Sequence, residues 1–105
     1  IVGFIPDTLD QSAYDDIIPV STEAAFQSAR KLATNEGIFC GISCGAAVAG
    51  MLDYASRESA RGTVLLAILP DTGERYLSTD LWASSGERNN YPIVVILFIA
   101  ALCGR

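Results

Sequence analysis

Residues 41–45 read GISCG, and they are the stretch whose residue types and spacing most directly suggest chemistry. The pattern G-x-S-x-G matches the nucleophile elbow of the α/β-hydrolases, in which the central serine is the attacking group. That serine needs a histidine as general base, and in this fold the histidine follows it in the chain. The sequence contains no histidine. We therefore do not expect Ser43 to be an activated nucleophile, and the hydrolase alternative is disfavoured.

The three cysteines, Cys40, Cys44 and Cys103, complete neither a metal site nor a disulfide framework. Cys40 and Cys44 are spaced like half of a zinc site, but a second Cys/His pair is missing. Because free cysteine commonly behaves as a small buried hydrophobe, we predict structural thiols and no metal. The odd cysteine count favours a reducing compartment, so a cytoplasmic location is predicted.

The bulk composition predicts one packed globular body, because the 105 residues are 50% hydrophobic and only 18% charged. A net charge of -5, with seven scattered basic residues, argues against partners that are nucleic acids or anionic membranes. The apolar run at residues 92–103 is shorter than the roughly 20 residues of a membrane helix. We predict a buried strand or a core helix there.

Residues 22–36 carry the periodicity of an amphipathic helix. Five apolar residues fall on one stripe of this helix: Ala25, Phe26, Ala29, Leu32 and Ala33. Ser21 or Thr22 can cap the first turn, where Glu23 places a negative charge at the positive end of the helix dipole. Gly37 can supply the left-handed residue that commonly ends a helix.

A second helix is predicted from Ser43 to about Arg57. Its first turns consist almost entirely of small residues: Gly45, Ala46, Ala47, Ala49 and Gly50. Because glycine weakens a helix by roughly 1 kcal/mol relative to alanine, we expect a neighbour that must approach closely, with tight packing on a sheet as the alternative. Asp53 and Arg57 are four residues apart and should form an ion pair.

Residues 63–69, TVLLAIL, form a continuous apolar run between Gly62 and Pro70. A run without alternation is typical of a parallel strand that is covered on both faces. Together with a brief strand at residues 15–20 and the two helices, it predicts an α/β fold. Ligands of open α/β sheets bind beyond the carboxyl ends of the strands, so residues 70–79 are the expected place for a site.

Three stretches together resemble one enzyme family: GFIPDTLD from residue 3, GISCGAAVAG from residue 41 and ILPDTGERYLSTDL from residue 68. In order and spacing they are similar to the C-terminal third of the cysteine synthases, the O-acetylserine sulfhydrylases of the cysteine synthase/cystathionine β-synthase family. The resemblance implies a partial three-layer α/β/α domain of the fold-type II pyridoxal-phosphate fold, with helices on a mostly parallel sheet. We accordingly divide the chain into a family segment at residues 1–82 and an apolar tail at residues 83–105. Cys44 stands where the family motif has a second serine, and we expect this near-isosteric change to be neutral.

The resemblance also implies residues that contact pyridoxal 5'-phosphate. The family serine that hydrogen-bonds the pyridine nitrogen corresponds to Ser43, with a plain helix cap as the alternative role. A neutral hydroxyl can donate to an unprotonated nitrogen, which leaves the ring a weaker electron sink that suits β-elimination. Pro70 and Asp71 match a loop beside the ring, with an ordinary strand-end turn as the alternative. Gly3 and Phe4 match a loop that closes near the substrate.

The implied activity is that of a transferase that converts O-acetylserine and sulfide into L-cysteine and acetate, in a cytoplasmic homodimer. Many family members also bind the C-terminal peptide of serine acetyltransferase. A cystathionine β-synthase-type enzyme and a non-catalytic remnant that acts through a partner are the alternatives. The family's Schiff-base lysine and phosphate loop are absent from these 105 residues, and Lys31, on the polar side of a predicted helix, cannot replace that lysine. We therefore expect a C-terminal part of such an enzyme that is inactive alone and holds no catalytic residue.

Overall fold

The computed structural model describes residues 5–83 and 92–95. Four elements carry the fold: β1 (Ile18–Ser21), α1 (Thr22–Lys31), α2 (Ile42–Ala55) and β2 (Pro92–Val95). Within the described ranges there are also three short helical turns: Leu32–Glu36, Glu58–Ala60 and Gly73–Tyr76. The first of these turns is π-helical and the other two are 3₁₀.

α1 confirms the first predicted helix, because both its cap and its apolar stripe are in place. Ser21 is the N-cap, and its hydroxyl oxygen accepts a hydrogen bond from the Ala24 amide at 3.2 Å. Glu23 lies in the first turn, where its charge meets the helix dipole favourably. The buried residues of the helix all belong to the predicted stripe: Ala25, Phe26 and Ala29.

The end of this helix differs from a regular α-helix. The α-helical segment stops at Lys31, and residues 32–36 continue as a π-helical turn. Thr34 donates its hydroxyl to the carbonyl oxygen of Arg30 at 3.0 Å, a back-bond of the kind that disturbs a regular helix. Gly37 then ends the helix with φ of 69°, which confirms the left-handed residue predicted from the sequence.

α2 confirms the second predicted helix, whose ends differ from the predicted ones by one or two residues. The predicted ion pair between Asp53 and Arg57 is present at 3.0 Å, and Arg57 also pairs with Asp16 at 3.1 Å. Since all three side chains are about half exposed, the pairs add little stability, but they connect the segment before β1 to the residues at the end of α2. Across the part of the chain that the structure describes, no helix has the length and apolar character needed to span a bilayer.

Close packing of α2 on its neighbours explains the small residues in its first turns. A Cβ atom at Gly45 would overlap the carbonyl oxygen of Ala25, so α1 is the close neighbour predicted there. Ala46 packs instead with the buried residues Ile18 and Val20 of β1. Two protein neighbours, α1 and β1, therefore account for the small residues of this stretch.

β1 and β2 pair antiparallel, with Ile18 opposite Val95. β1 overlaps the strand predicted at residues 15–20. β2 begins the apolar run at residues 92–103, for which a strand or a core helix was predicted, and it forms as a strand; residues 96–103 lie outside the described ranges. Within the described residues, the predicted mostly parallel sheet is represented only by this antiparallel pair.

The prediction that residues 63–69 are covered on both faces was wrong. Residues 65–70 form no regular element, and alternate side chains along the run are exposed to solvent. The exposed fractions are large: Val64 71%, Leu66 82% and Ile68 78%. A continuous apolar run predicts burial only where further elements lie over both faces. The described residues cover one face of this segment in part and leave the other open.

Candidate functional site

Two glycines hold the first turn of α2 against its surroundings. Gly41 is the N-cap of the helix, and a Cβ atom there would overlap the carboxylate of Asp71 and the ring of Tyr76. Gly45 is equally confined, because a Cβ atom would lie 2.8 Å from the Cβ of Ala29 on α1. Both glycines are buried. The helix start is therefore fixed from two sides by contacts that only glycine permits.

Ser43 lies between these glycines and is exposed to solvent, as the second residue of α2. The cap position belongs to Gly41, and no side chain caps the helix from within. The alternative role of Ser43 as a helix cap was therefore wrong. Among the described residues its hydroxyl has no hydrogen-bond partner, so the group remains available to a ligand.

The predicted site residue Asp71 is brought to the same helix start from 30 residues further along the chain. Its Oδ1 atom accepts hydrogen bonds from the Gly41 amide at 3.2 Å and the Cys44 thiol at 2.9 Å. Its Oδ2 atom accepts one from the Tyr76 hydroxyl at 2.5 Å. Since Gly41 and Cys44 lie on either side of Ser43, the loop that carries Asp71 and the GISCG stretch lie together in one candidate site. Pro70, next to Asp71, is exposed, and the predicted residues Gly3 and Phe4 lie outside the described ranges.

The electrostatics of this cluster favour one negative charge, on Asp71. Burial raises the pKa of this carboxyl, but hydrogen bonds from Cys44, Tyr76 and the Gly41 amide outweigh that effect, so the pKa is lowered overall. The pKa of the Tyr76 hydroxyl is raised, first by its hydrogen bond to Asp71 and then by burial. Burial followed by the hydrogen bond to Asp71 raises the pKa of the Cys44 thiol. At neutral pH, both side chains therefore remain neutral donors to a carboxylate.

The two cysteines of the described ranges are structural thiols, as predicted. Cys40 and Cys44 are both buried and unpaired. Burial, followed by the nearby Cys44, raises the pKa of Cys40 to about 11. Because the thiolate is the reactive form, both thiols are poor nucleophiles at neutral pH. The described residues also contain no group of three or more potential metal ligands.

An aromatic pair, Phe39 and Trp82, packs against the loop that carries Asp71. The rings of Phe39 and Trp82 lie 4.7 Å apart, and the Trp82 indole donates to the Gly73 carbonyl oxygen at 3.1 Å. The Gly73 amide in turn donates to the Phe39 carbonyl oxygen at 3.1 Å. A Cβ atom at Gly73 would lie 2.7 Å from the Phe39 ring. These contacts fix the loop that carries Asp71.

Arg30 makes structural contacts that the sequence did not reveal. Its helical position predicted a solvated polar face, yet its guanidinium donates to three backbone carbonyls: Asp80 at 2.8 Å, Leu81 at 2.6 Å and Ala83 at 2.9 Å. Leu81 is fully buried in a cluster with Phe26. The end of the family motif is thereby attached to α1. No local signal predicts these contacts, because the three acceptors lie 50 to 53 positions further along the chain.

Comparison with known families identifies the family of the chain. Residues 3–71 match the family model described as "Pyridoxal-phosphate dependent enzyme". The chain belongs to this family. The cofactor of the family is pyridoxal phosphate, as the resemblance implied.

Two relatives of this pyridoxal-phosphate family member are named as synthases of amino acids. An O-ureido-L-serine synthase from Streptomyces lavendulae is 53% identical over 80 residues, which cover 76% of this chain and 24% of that protein. A probable cysteine synthase from Bacillus subtilis is 48% identical over 77% of this chain and 26% of its own length. The resemblance to the cysteine synthases is thus confirmed. The chain spans about a quarter of the length of these relatives.

A solved structure confirms the predicted fold class. The crystal structure of the cysteine synthase from Entamoeba histolytica superposes with a TM-score of 0.75 at 41% identity. The match covers 83% of this chain and 26% of that one. The described elements are therefore part of the α/β fold of the pyridoxal-phosphate enzymes.

The residues present fit one edge of such a cofactor. Ser43 offers an exposed hydroxyl that has no hydrogen-bond partner among the described residues, and a hydroxyl is the donor that a neutral ring nitrogen requires. The chain's single lysine, Lys31, is an exposed residue at the end of α1, where it lacks the burial that activates a Schiff-base lysine. The residues present therefore fit the ring-nitrogen side of such a cofactor.

Proposed function

We propose that this chain provides the ring-nitrogen side of the cofactor site in a pyridoxal-phosphate enzyme that makes L-cysteine from O-acetylserine and sulfide by β-replacement. The observation that carries the proposal is the exposed hydroxyl of Ser43 in the first turn of α2, for which residues 5–83 supply no hydrogen-bond partner. Family membership and the named relatives support the reaction class. In this proposal Pro70 and Asp71 border the cofactor, and Gly3 and Phe4 belong to a loop near the substrate.

When bound, pyridoxal phosphate supplies the electron sink that lets the bonds at Cα and Cβ of the amino acid change. The Ser43 hydroxyl would donate a hydrogen bond to the ring nitrogen and keep its own proton, so that nitrogen would stay unprotonated. A free carboxylate at this place would hold the nitrogen protonated instead. Asp71 is the acidic group at the helix start, but its oxygens are engaged by Gly41, Cys44 and Tyr76. It therefore does not compete with Ser43 for the ring.

The nucleophile of the β-replacement need not be sulfide, because one relative is named for a different product. The relative from Streptomyces lavendulae, at 53% identity, is an O-ureido-L-serine synthase. β-Replacement by the hydroxyl oxygen of hydroxyurea would yield that product. Sulfide is our first candidate and hydroxyurea our second. A cystathionine β-synthase-type reaction with homocysteine, and a remnant that only binds partners, remain the alternatives from the sequence.

We further propose that the 105 residues are inactive alone, because Lys31 is exposed and no phosphate cradle occurs in their sequence. In the intact enzyme we expect a cytoplasmic homodimer that accepts the C-terminal peptide of serine acetyltransferase. Incubating the 105-residue chain with cofactor, O-acetylserine and sulfide tests the first statement. Formation of cysteine would refute it.

A chimeric enzyme tests the function itself. Residues 1–82 replace the matching segment of the Bacillus subtilis relative. The chimera is assayed with O-acetylserine and either sulfide or hydroxyurea, and separately with serine plus homocysteine.

Within this chimera, Ser43→Ala removes the proposed hydrogen bond to the ring, and Ser59→Ala is the control at an exposed serine. Since a net hydrogen bond contributes about 0.5–1.5 kcal/mol, we expect Ser43→Ala to lower kcat/KM by about two- to tenfold and to shift the absorption of the bound cofactor. The proposal fails if the two variants behave alike in an active chimera.

A further inference from the structure

Three donors from the protein itself converge on the carboxylate of Asp71. The Gly41 amide and the Cys44 thiol donate to Oδ1 at 3.2 and 2.9 Å, and the Tyr76 hydroxyl donates to Oδ2 at 2.5 Å. A carboxylate offers about four lone-pair sites, so little capacity is left for a ligand. This arrangement suggests that the side chain acts on α2 and not on a bound molecule.

No side chain of α2 or of its N-cap residue caps the N-terminus of this helix. Its N-cap residue is Gly41, which has no side chain, and its first turn contains no acidic residue. Helix N-termini leave amide groups without intrahelical partners and favour a negative charge nearby. α1 solves the same problem locally with Ser21 and Glu23. For α2, the carboxylate at the Gly41 amide comes from Asp71, beyond residues 63–69.

We propose that Asp71 is a positioning residue that caps α2 from outside the helix and thereby fixes the place of Ser43. Gly41 is required for this contact, because a Cβ atom there would overlap the carboxylate. Cys44 and Tyr76 hold the carboxylate in its orientation. The role of Ser43 toward the cofactor rests on the function proposed above, whereas the cap is a property of the 105-residue chain alone.

The charges around the carboxylate make the cap dependent on pH in one direction. The titratable groups that face Asp71 are Cys44 and Cys40 on one side and Tyr76 and Arg75 on the other. Burial opposes the charge of Asp71, but the hydrogen bonds and Arg75 prevail and lower its pKa below the ordinary value of 3.8. The cap is therefore complete above pH 3.8 and is lost as the pH falls through the lowered pKa. The two thiols and the phenol titrate at much higher pH and do not interfere.

NMR of the uniformly ¹⁵N-labelled 105-residue chain tests the cap without any cofactor. In Asp71→Asn, we expect the Gly41 amide to exchange with solvent about 10- to 100-fold faster than in the wild type, since it loses a bond to a charged acceptor. In the wild type, the amide resonances of Gly41 and Ser43 should titrate together with a midpoint below pH 3.8. Asp71→Asn should abolish this titration. Asp80→Asn, at an exposed aspartate, is the control and should change neither result.

A pair of variants at Cys44 keeps the test decisive if Asp71→Asn fails to fold. Cys44→Ser retains a donor to the carboxylate and should preserve the slow exchange of the Gly41 amide, whereas Cys44→Ala should accelerate it. The inference is overturned if Gly41 exchanges equally in Asp71→Asn and Asp80→Asn, if its resonance does not titrate below pH 3.8, or if both Cys44 variants behave alike. Failure of Ser43→Ala in the chimera would refute the proposed function and leave these NMR results unaffected.

Discussion

Replacing Gly45 with alanine tests the contact that brings the two helices together. The new Cβ atom would overlap the carbonyl oxygen of Ala25 and lie 2.8 Å from both the Cβ and the amide nitrogen of Ala29. Two of these three atoms belong to the backbone, which cannot rotate away as a side chain does. α1 and α2 must therefore separate to accept the methyl group.

The expected magnitude is the difference between two opposing effects. Alanine is favoured over glycine within a helix by about 1 kcal/mol. Overpacking a core typically costs about 1–3 kcal/mol, and we take about 3 kcal/mol because backbone atoms have to move. The free energy of unfolding of Gly45→Ala should fall by about 2 kcal/mol. For a domain of this size, that corresponds to a decrease in Tm of roughly 10 °C.

Urea unfolding provides the assay, followed by far-UV circular dichroism and by the fluorescence of Trp82, the only tryptophan. Gly37→Ala is the matched control. Its φ of 69° disfavours alanine, but nothing lies within 4 Å of the new Cβ atom, so we expect a loss of about 1–2 kcal/mol with the helix contact intact. A Gly45→Ala variant as stable as the wild type, or more stable, would refute the close helix contact.

Three further outcomes are expected. Arg30→Gln should lower the free energy of unfolding by about 2–3 kcal/mol, because it weakens hydrogen bonds to three carbonyls, and it should shift the Trp82 emission to the red; unchanged urea midpoint and emission would contradict the attachment. Leu66→Lys, at a side chain 82% exposed, should reduce the binding of an apolar fluorescent dye while the urea midpoint changes by less than about 0.5 kcal/mol in free energy, and equal dye binding would contradict the exposure of residues 63–69. Alkylation of Cys40 by iodoacetamide, followed by mass spectrometry, should be slow at pH 8 and rise about tenfold per pH unit up to its pKa of about 11; a plateau below pH 9 would contradict the raised pKa.

The helices were predictable because their determinants lie within a few residues of each other. The Ser21 cap, the stripe around Phe26 and the left-handed Gly37 all act over one or two turns of the same helix. The ion pair between Asp53 and Arg57 is equally local. In each of these cases the sequence spacing determines the distance in space, so the pattern alone suffices.

The contacts that assemble the site could not be predicted in this way. Arg30 and Leu81 are 51 positions apart, and no residue pattern in either segment indicates that the two are in contact. Residues 63–69 show the converse limit, because their apolar run predicts burial only if covering elements are present, and Leu66 is exposed. That Asp71 lies beside the GISCG stretch was anticipated only from the rule on strand ends and from the family resemblance. The hydrogen bond from the Gly41 amide to the Asp71 carboxylate is seen only in the structure.

The G-x-S-x-G spacing explains how the start of α2 can be closely packed while the hydroxyl of Ser43 stays exposed. Consecutive helical residues are rotated by about 100°, so Gly41 and Gly45 are about 400° apart and lie on nearly the same face, while Ser43 is about 200° from each. The glycine face can therefore be pressed against Asp71 and α1, as the confined Cβ positions show, while the hydroxyl is left on the opposite, solvent-exposed side. The pattern thus encodes the presentation of a hydroxyl, and its chemistry is set by what faces it. A base would make the serine a nucleophile, whereas a heteroaromatic nitrogen makes it a hydrogen-bond donor.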